Sequence, residues 1–98
     1  MRILILGIDG YLGWPTALHL SAQGHEVSGL DNLNRRTWQT ELGHNSLLPI
    51  ARPAERVAEW EELTGKRLIW THGDMLDYAT VKDAVAEGRP DAVIHFAE

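Results

Sequence analysis

Ile3-Leu4-Ile5-Leu6-Gly7-Ile8-Asp9-Gly10-Tyr11-Leu12-Gly13 is the stretch on which the fold turns. Four apolar residues in unbroken succession fit a strand buried on both faces, because a strand with one wet face would alternate. The glycines that follow have the spacing G-x-x-G-x-x-G. Between a buried strand and a helix, the first glycine permits a tight turn, the second lets backbone approach a pyrophosphate, and the third allows close helix–sheet contact. Main-chain N–H groups and the positive end of the helix then face an anion, with no side-chain cation required. Gly7, Gly10 and Gly13 are therefore candidate phosphate-binding residues. A glycine-rich turn with no ligand is the alternative, and the flanking elements weigh against it.

Outward from this loop the chain alternates between strand and helix signals. Residues 11–23 predict a helix whose Gly13, Ala17 and Leu20 form a narrow stripe, with Gly24 as its stop. Residues 26–30 predict a second strand ending at Asp31. Asn32, Asn34, Gly43, Asn45 and Pro49 interrupt any period over 32–52, so an irregular insertion with a helical turn near 36–42 is expected. Pro53 suits the first turn of a helix, Val57, Trp60 and Leu63 recur at three-residue steps as its core stripe, and Gly65 suits its end. A third strand over 67–72 follows. Asp77 then caps a helix that turns Val81, Ala84 and Val85 inward, and a fourth strand spans 92–96. This order predicts a Rossmann-type α/β fold, with a parallel sheet of four strands in the order 3-2-1-4. Residues 1–98 read as the N-terminal part of one such domain, with an insertion at about 32–66 and an end where a fifth strand would begin.

Composition narrows the function. The chain has 98 residues, 44% hydrophobic and 23% charged, which suits one small globular core and argues against disorder, collagen-like repeats and a coiled coil. Nine Lys+Arg against fourteen Asp+Glu leave a formal charge of −5, spread over both halves, which disfavours nucleic acid as a partner. With no cysteine, disulfides and thiolate metal sites are excluded. The apolar run behind Arg2 is too short for a signal peptide, and no stretch approaches the roughly 18 apolar residues of a membrane span, so a cytoplasmic chain with no membrane partner is expected. His19, His25, His44 and His72 show no metal-ligand spacing.

Asp31 lies at the end of the second strand, near the spacing of about 20 residues at which an acid accepts hydrogen bonds from an adenosine ribose. A carboxylate there repels a 2′-phosphate, so NAD is expected over NADP; Arg35 and Arg36 pull the other way, since an arginine at this point can hold that phosphate. Asp74-Met75, just past the third strand, falls where an adenine edge would lie.

With these residues placed, the sequence resembles the extended short-chain dehydrogenase/reductase family, the NAD-dependent nucleotide-sugar epimerases and dehydratases. Within it, the chain is similar to the branch that makes UDP-sulfoquinovose. The likeness is carried by Gly10-Tyr11, Gly13-Trp14, Thr16-Ala17-Leu18-His19-Leu20-Ser21, Asp31-Asn32-Leu33, Arg35-Arg36, Pro49-Ile50-Ala51, Leu63-Thr64-Gly65-Lys66, Gly73-Asp74 and His95-Phe96 with Glu98. It implies bound NAD, with UDP-glucose and sulfite as substrates of a complete enzyme: transient oxidation at C4, elimination of water, addition of sulfite and return of the hydride. It also implies cofactor contacts from Gly10, Tyr11, Asp31, Asn32, Leu33, Asn34, Arg35, Asp74 and Met75. Pro15 departs from the family pattern and, if the helix begins near Tyr11, removes a hydrogen bond from its first turn.

The family catalyses with a Tyr-x-x-x-Lys pair. Tyr78-Ala79-Thr80-Val81-Lys82 has that spacing but follows strand three, on the adenine side, so it reads as a helix with a partly buried tyrosine and a solvated lysine. No catalytic residue is assigned. His95 and Glu98 fall near where the nicotinamide side would open. Another epimerase or dehydratase, and a noncatalytic dinucleotide-binding module, are the alternative readings. The open edge of strand four invites self-association.

Overall fold

The computed structural model describes residues 1–43 and 51–96. Its elements run β1 (Arg2–Leu6), α1 (Gly13–Ala22), β2 (Glu26–Asp31), α2 (Asn34–Glu41), α3 (Pro53–Thr64), β3 (Leu68–His72), α4 (Tyr78–Gly88) and β4 (Ala92–His95). The four strands are parallel and lie in the order β3-β2-β1-β4, as the alternation predicts. At the centre Ile5 pairs with Gly29 on one side and Ile94 on the other.

The period of two along β1 explains its unbroken apolar run. Ile3 and Ile5 point to the face covered by α1 and α3, where they join Val27, Leu68, Val57 and Trp60. Leu4 and Leu6 point to the other face, where Leu30, Val81, Ala84 and Met75 meet them. Ser21 is the buried polar residue of the core, and Trp60 Nε1–H donates to its hydroxyl at 2.9 Å, tying α3 to α1. A satisfied hydroxyl costs little to bury, whereas an orphaned one costs about 1–3 kcal/mol.

Helix ends follow their local chemistry. α1 begins at Gly13, two residues later than expected, so Pro15 is its third residue and its missing N–H falls where no intrahelical partner is required. The expected loss in the first turn therefore does not arise. Gly24 (φ 95°) ends α1: its N–H donates to Ser21 O and that of His25 to Leu20 O. Pro53 starts α3 and left-handed Gly65 closes it. Asp77 caps α4 by accepting from the Ala79 amide at 3.1 Å.

Four expectations are corrected. The segment after β2 holds an eight-residue helix, α2, rather than a lone turn; Asn32 Oδ1 accepts the Asn34 amide at its start. His44, Asn45, Pro49 and Ile50 lie outside the described residues. Leu63 is 74% exposed, because three-residue steps drift around a helix of 3.6 residues per turn and carry it off the face held by Val57 and Trp60. Tyr78 is not partly buried but 77% exposed, and Val85 is half-exposed on α4. Among the described residues no helix is long and apolar enough to cross a membrane.

Candidate functional site

A cleft of about 480 Å³ opens at the carboxyl ends of the strands. It lies where successive strands depart to opposite sides of β1, the position at which open α/β sheets bind ligands. Gly7, Gly10, Tyr11 and Gly13 line it from the loop after β1. Asp31, Asn32 and Asn34 line it from the end of β2, and Asp74 and Met75 from the end of β3. Leu12, Leu76, His95 and Phe96 complete its walls.

All three loop glycines converge on one carbonyl, that of Gly7. Gly7 itself is left-handed (φ 89°), its N–H donates to Leu30 O at 2.8 Å, and its carbonyl accepts the Gly10 amide at 3.1 Å. A Cβ on Gly10 would sit 3.2 Å from that oxygen, and one on Gly13 only 2.0 Å from it. The third glycine thus brings the helix start against the loop more than against the sheet. Among the described residues no side chain caps α1 at Leu12 and no acid lies in its first turn, so its amino end keeps its positive potential toward the cleft.

Asp31 faces this loop. Its Oδ2 accepts the Asp9 amide at 2.9 Å and its Oδ1 accepts the Leu33 amide at 2.7 Å. Two backbone donors fix the carboxylate while each oxygen keeps a further lone pair for a hydroxyl. Leu33 makes this possible by taking a left-handed conformation (φ 61°), unusual outside glycine and asparagine. Leu33 is not among the lining residues and acts here through its backbone; the side chain of Arg35 lies outside the described residues. Asp74 Oδ1 accepts the Leu76 amide at 2.9 Å, folding the turn after β3 into the cleft wall.

Sequence reasoning passed over Asp9. Its side chain is 6% exposed and sits in a fork formed by Nε and Nη2 of Arg36, with Nη2 to Oδ1 at 2.8 Å. Arg36 Nη2 also donates to Ala51 O at 2.7 Å. Arg56 Nη1 stands 3.8 Å from Asp9 Oδ1, and its guanidinium lies 5.0 Å over the ring of Trp14. The hydrogen bond to Asp9 raises the Arg36 pKa above its ordinary value, while burial lowers that of Arg56. Two cations thereby neutralise a carboxylate that would otherwise repel an anion at the loop. The signal was an acid inside a glycine loop, which needs a partner if buried; what the sequence hides is that the partner stands 27 positions away.

Tyr78 and Lys82 are exposed and do not line the cleft. His72 Nε2 lies 3.3 Å from Asn32 O, and His25 Nδ1 lies 3.1 Å from the amino terminus. Glu98 is outside the described residues, and no group of three metal-ligating side chains occurs among those described.

Residues 3–98 match the family described as NAD dependent epimerase/dehydratase. The chain belongs to that family. This epimerase/dehydratase-family chain is 49% identical, over all its 98 residues, to UDP-sulfoquinovose synthase of Sulfolobus acidocaldarius, of which it covers 25%. It is 42% identical over 97 residues to the chloroplastic UDP-sulfoquinovose synthase of Spinacia oleracea, of which it covers 20%. Among solved structures, UDP-glucose 4-epimerase of Bifidobacterium longum, in complex with NAD+ and UDP, superposes with a TM-score of 0.71 at 27% identity, over 99% of this chain and 24% of that one. The chain thus spans a quarter or less of these relatives.

Proposed function

We propose that the cleft binds the adenosine and diphosphate part of NAD. The amides of the Gly7–Gly13 loop would hold the pyrophosphate, Asp31 the adenosine ribose with Asn32, Leu33, Asn34 and Arg35 around it, and Asp74 and Met75 the adenine edge. The observation that carries this reading is Asp31, held by two amides at the rim of a loop whose helix start is uncapped. Glycine at Gly13 and Gly10, where a Cβ would crowd Gly7 O, lets the helix start close on the loop and so brings its amino end to the cleft. Bound NAD would supply a reversible hydride acceptor. This chain's residues bind and orient its adenosine end, and Arg36 and Arg56 remove the charge of Asp9 from the diphosphate's path.

For the longer protein to which residues 1–98 correspond, we propose synthesis of UDP-sulfoquinovose from UDP-glucose and sulfite, an assignment supported by identity to two such synthases. Residues 32–66 act as an insertion in the NAD-binding domain. The 98-residue chain by itself catalyses nothing, because Tyr78 and Lys82 stand away from the cleft. β4, as an edge strand, offers a site for self-association. Calorimetry should show NAD binding that Asp31→Ala weakens. Absence of binding, or binding indifferent to Asp31→Ala, overturns the cofactor reading, and turnover of UDP-glucose with sulfite by this chain overturns the claim of inactivity. Light scattering that finds only monomer removes the self-association.

A further inference from the structure

We infer that Asp9 sets the preference of the cleft between dinucleotides by withholding Arg36 from a 2′-phosphate. The inference rests on the dinucleotide reading proposed above and deepens it.

Asp9 and Asp31 are neighbours in space, joined by the Asp9 amide to Asp31 Oδ2 bond of 2.9 Å. The guanidinium that grips Asp9 is near enough to Asp31 to feel its charge, so on the dinucleotide reading it is the cation that an added ribose phosphate would draw on. A guanidinium offers a planar fork of N–H donors that suits carboxylate and phosphate alike. In this chain the fork is engaged: Nε and Nη2 of Arg36 span both oxygens of Asp9, and Nη2 reaches Ala51 O as well. The competing carboxylate is part of the chain and almost wholly buried, so a ligand phosphate would have to displace it. Arg56 is committed to the same carboxylate from α3 and is stacked on Trp14.

The charge balance points the same way. Arg36 and Arg56 carry two positive charges, and Asp9 and Asp31 two negative ones, while Glu55 adds a further acid facing Arg36. Within this cluster the carboxylates outnumber the guanidiniums, so it offers no net positive charge to a phosphorylated ribose. Without Asp9 the balance of this cluster shifts by one positive charge, and Arg36 loses the carboxylate that spans its Nε and Nη2.

Calorimetric titration of NAD and NADP at low ionic strength tests this with Asp9→Ala and the double variant Asp9→Ala/Arg36→Met. Asp9→Asn, which keeps the size of the side chain, serves if the alanine variant fails to fold. Affinity for NADP relative to NAD should rise about tenfold or more in Asp9→Ala, and less in Asp9→Asn. The gain should shrink with added salt and vanish in the double variant. An unchanged ratio in folded Asp9 variants, or a gain that survives removal of Arg36, overturns the inference while wild-type NAD binding stands. If the wild-type chain binds neither nucleotide, the dinucleotide reading and this inference fall together.

Discussion

At the carboxyl ends of the strands lies the cleft of about 480 Å³; at the amino ends lies a larger hollow of about 620 Å³, bordered by Arg2, Glu26, Lys66, Arg67 and Glu87. The larger hollow has the looser chemistry. Its Arg2 and Glu26 approach at 3.5 Å with side chains 53% and 81% exposed, a pairing that water and salt largely dissolve. The smaller cleft is lined by groups held in place by their neighbours, from the glycines around Gly7 O to Asp31, which two amides fix, one of them from the left-handed Leu33 behind the wall. The two hollows differ in how many groups are committed in advance, and volume is a poor guide to that.

The two ends of α1 give the sharpest contrast. Gly13→Ala should have the largest effect, since its Cβ would lie 2.0 Å from Gly7 O and the helix start must move away from the loop. A loss of about 3 kcal/mol in urea unfolding is expected, together with NAD binding. Normal stability in that variant would break the contrast. Asp31→Ala comes next: NAD affinity should fall at least about tenfold in calorimetry, and the melting temperature should drop because the amides of Asp9 and Leu33 lose their acceptor. At the other end of α1, Gly24→Ala meets open space and suffers only its positive φ, so about 1 kcal/mol of stability and no NAD affinity should be lost. Arg2→Ala should be smallest, below about 0.5 kcal/mol by denaturant titration and silent in binding. A binding defect in either of the last two would show that the amino end takes part in the site.

Strand order and the tight glycine loop after β1 were legible because their signals are local. Ile3 to Leu6 show burial on two faces by being apolar at successive positions, and Gly7, Gly10 and Gly13 lie within one turn and its helix. Asp31 was legible from its distance along the chain and its place at a strand end. α2 was not, because it carries no strong apolar stripe; Arg36, at its third position, grips Asp9 on the glycine loop. The Asp9–Arg36–Arg56 cluster draws on three separate segments, and no periodicity reports such a meeting. Leu63 misled because a step of three mimics a helix face for only two turns.

β1 stands between β2 and β4, and this placement governs the order in which the chain can assemble. Its partner on one side arrives about twenty residues later, but Ile3 waits for Ala92 on the other, and the Arg2 amide for the Asp91 carboxylate 89 positions away. During synthesis one row of hydrogen-bonding groups on β1 has water in place of its strand partner until Ala92–His95 have emerged. Closure of so distant a pairing is slow. The central strand, the earliest of the four along the chain, is thus among the last to be completed.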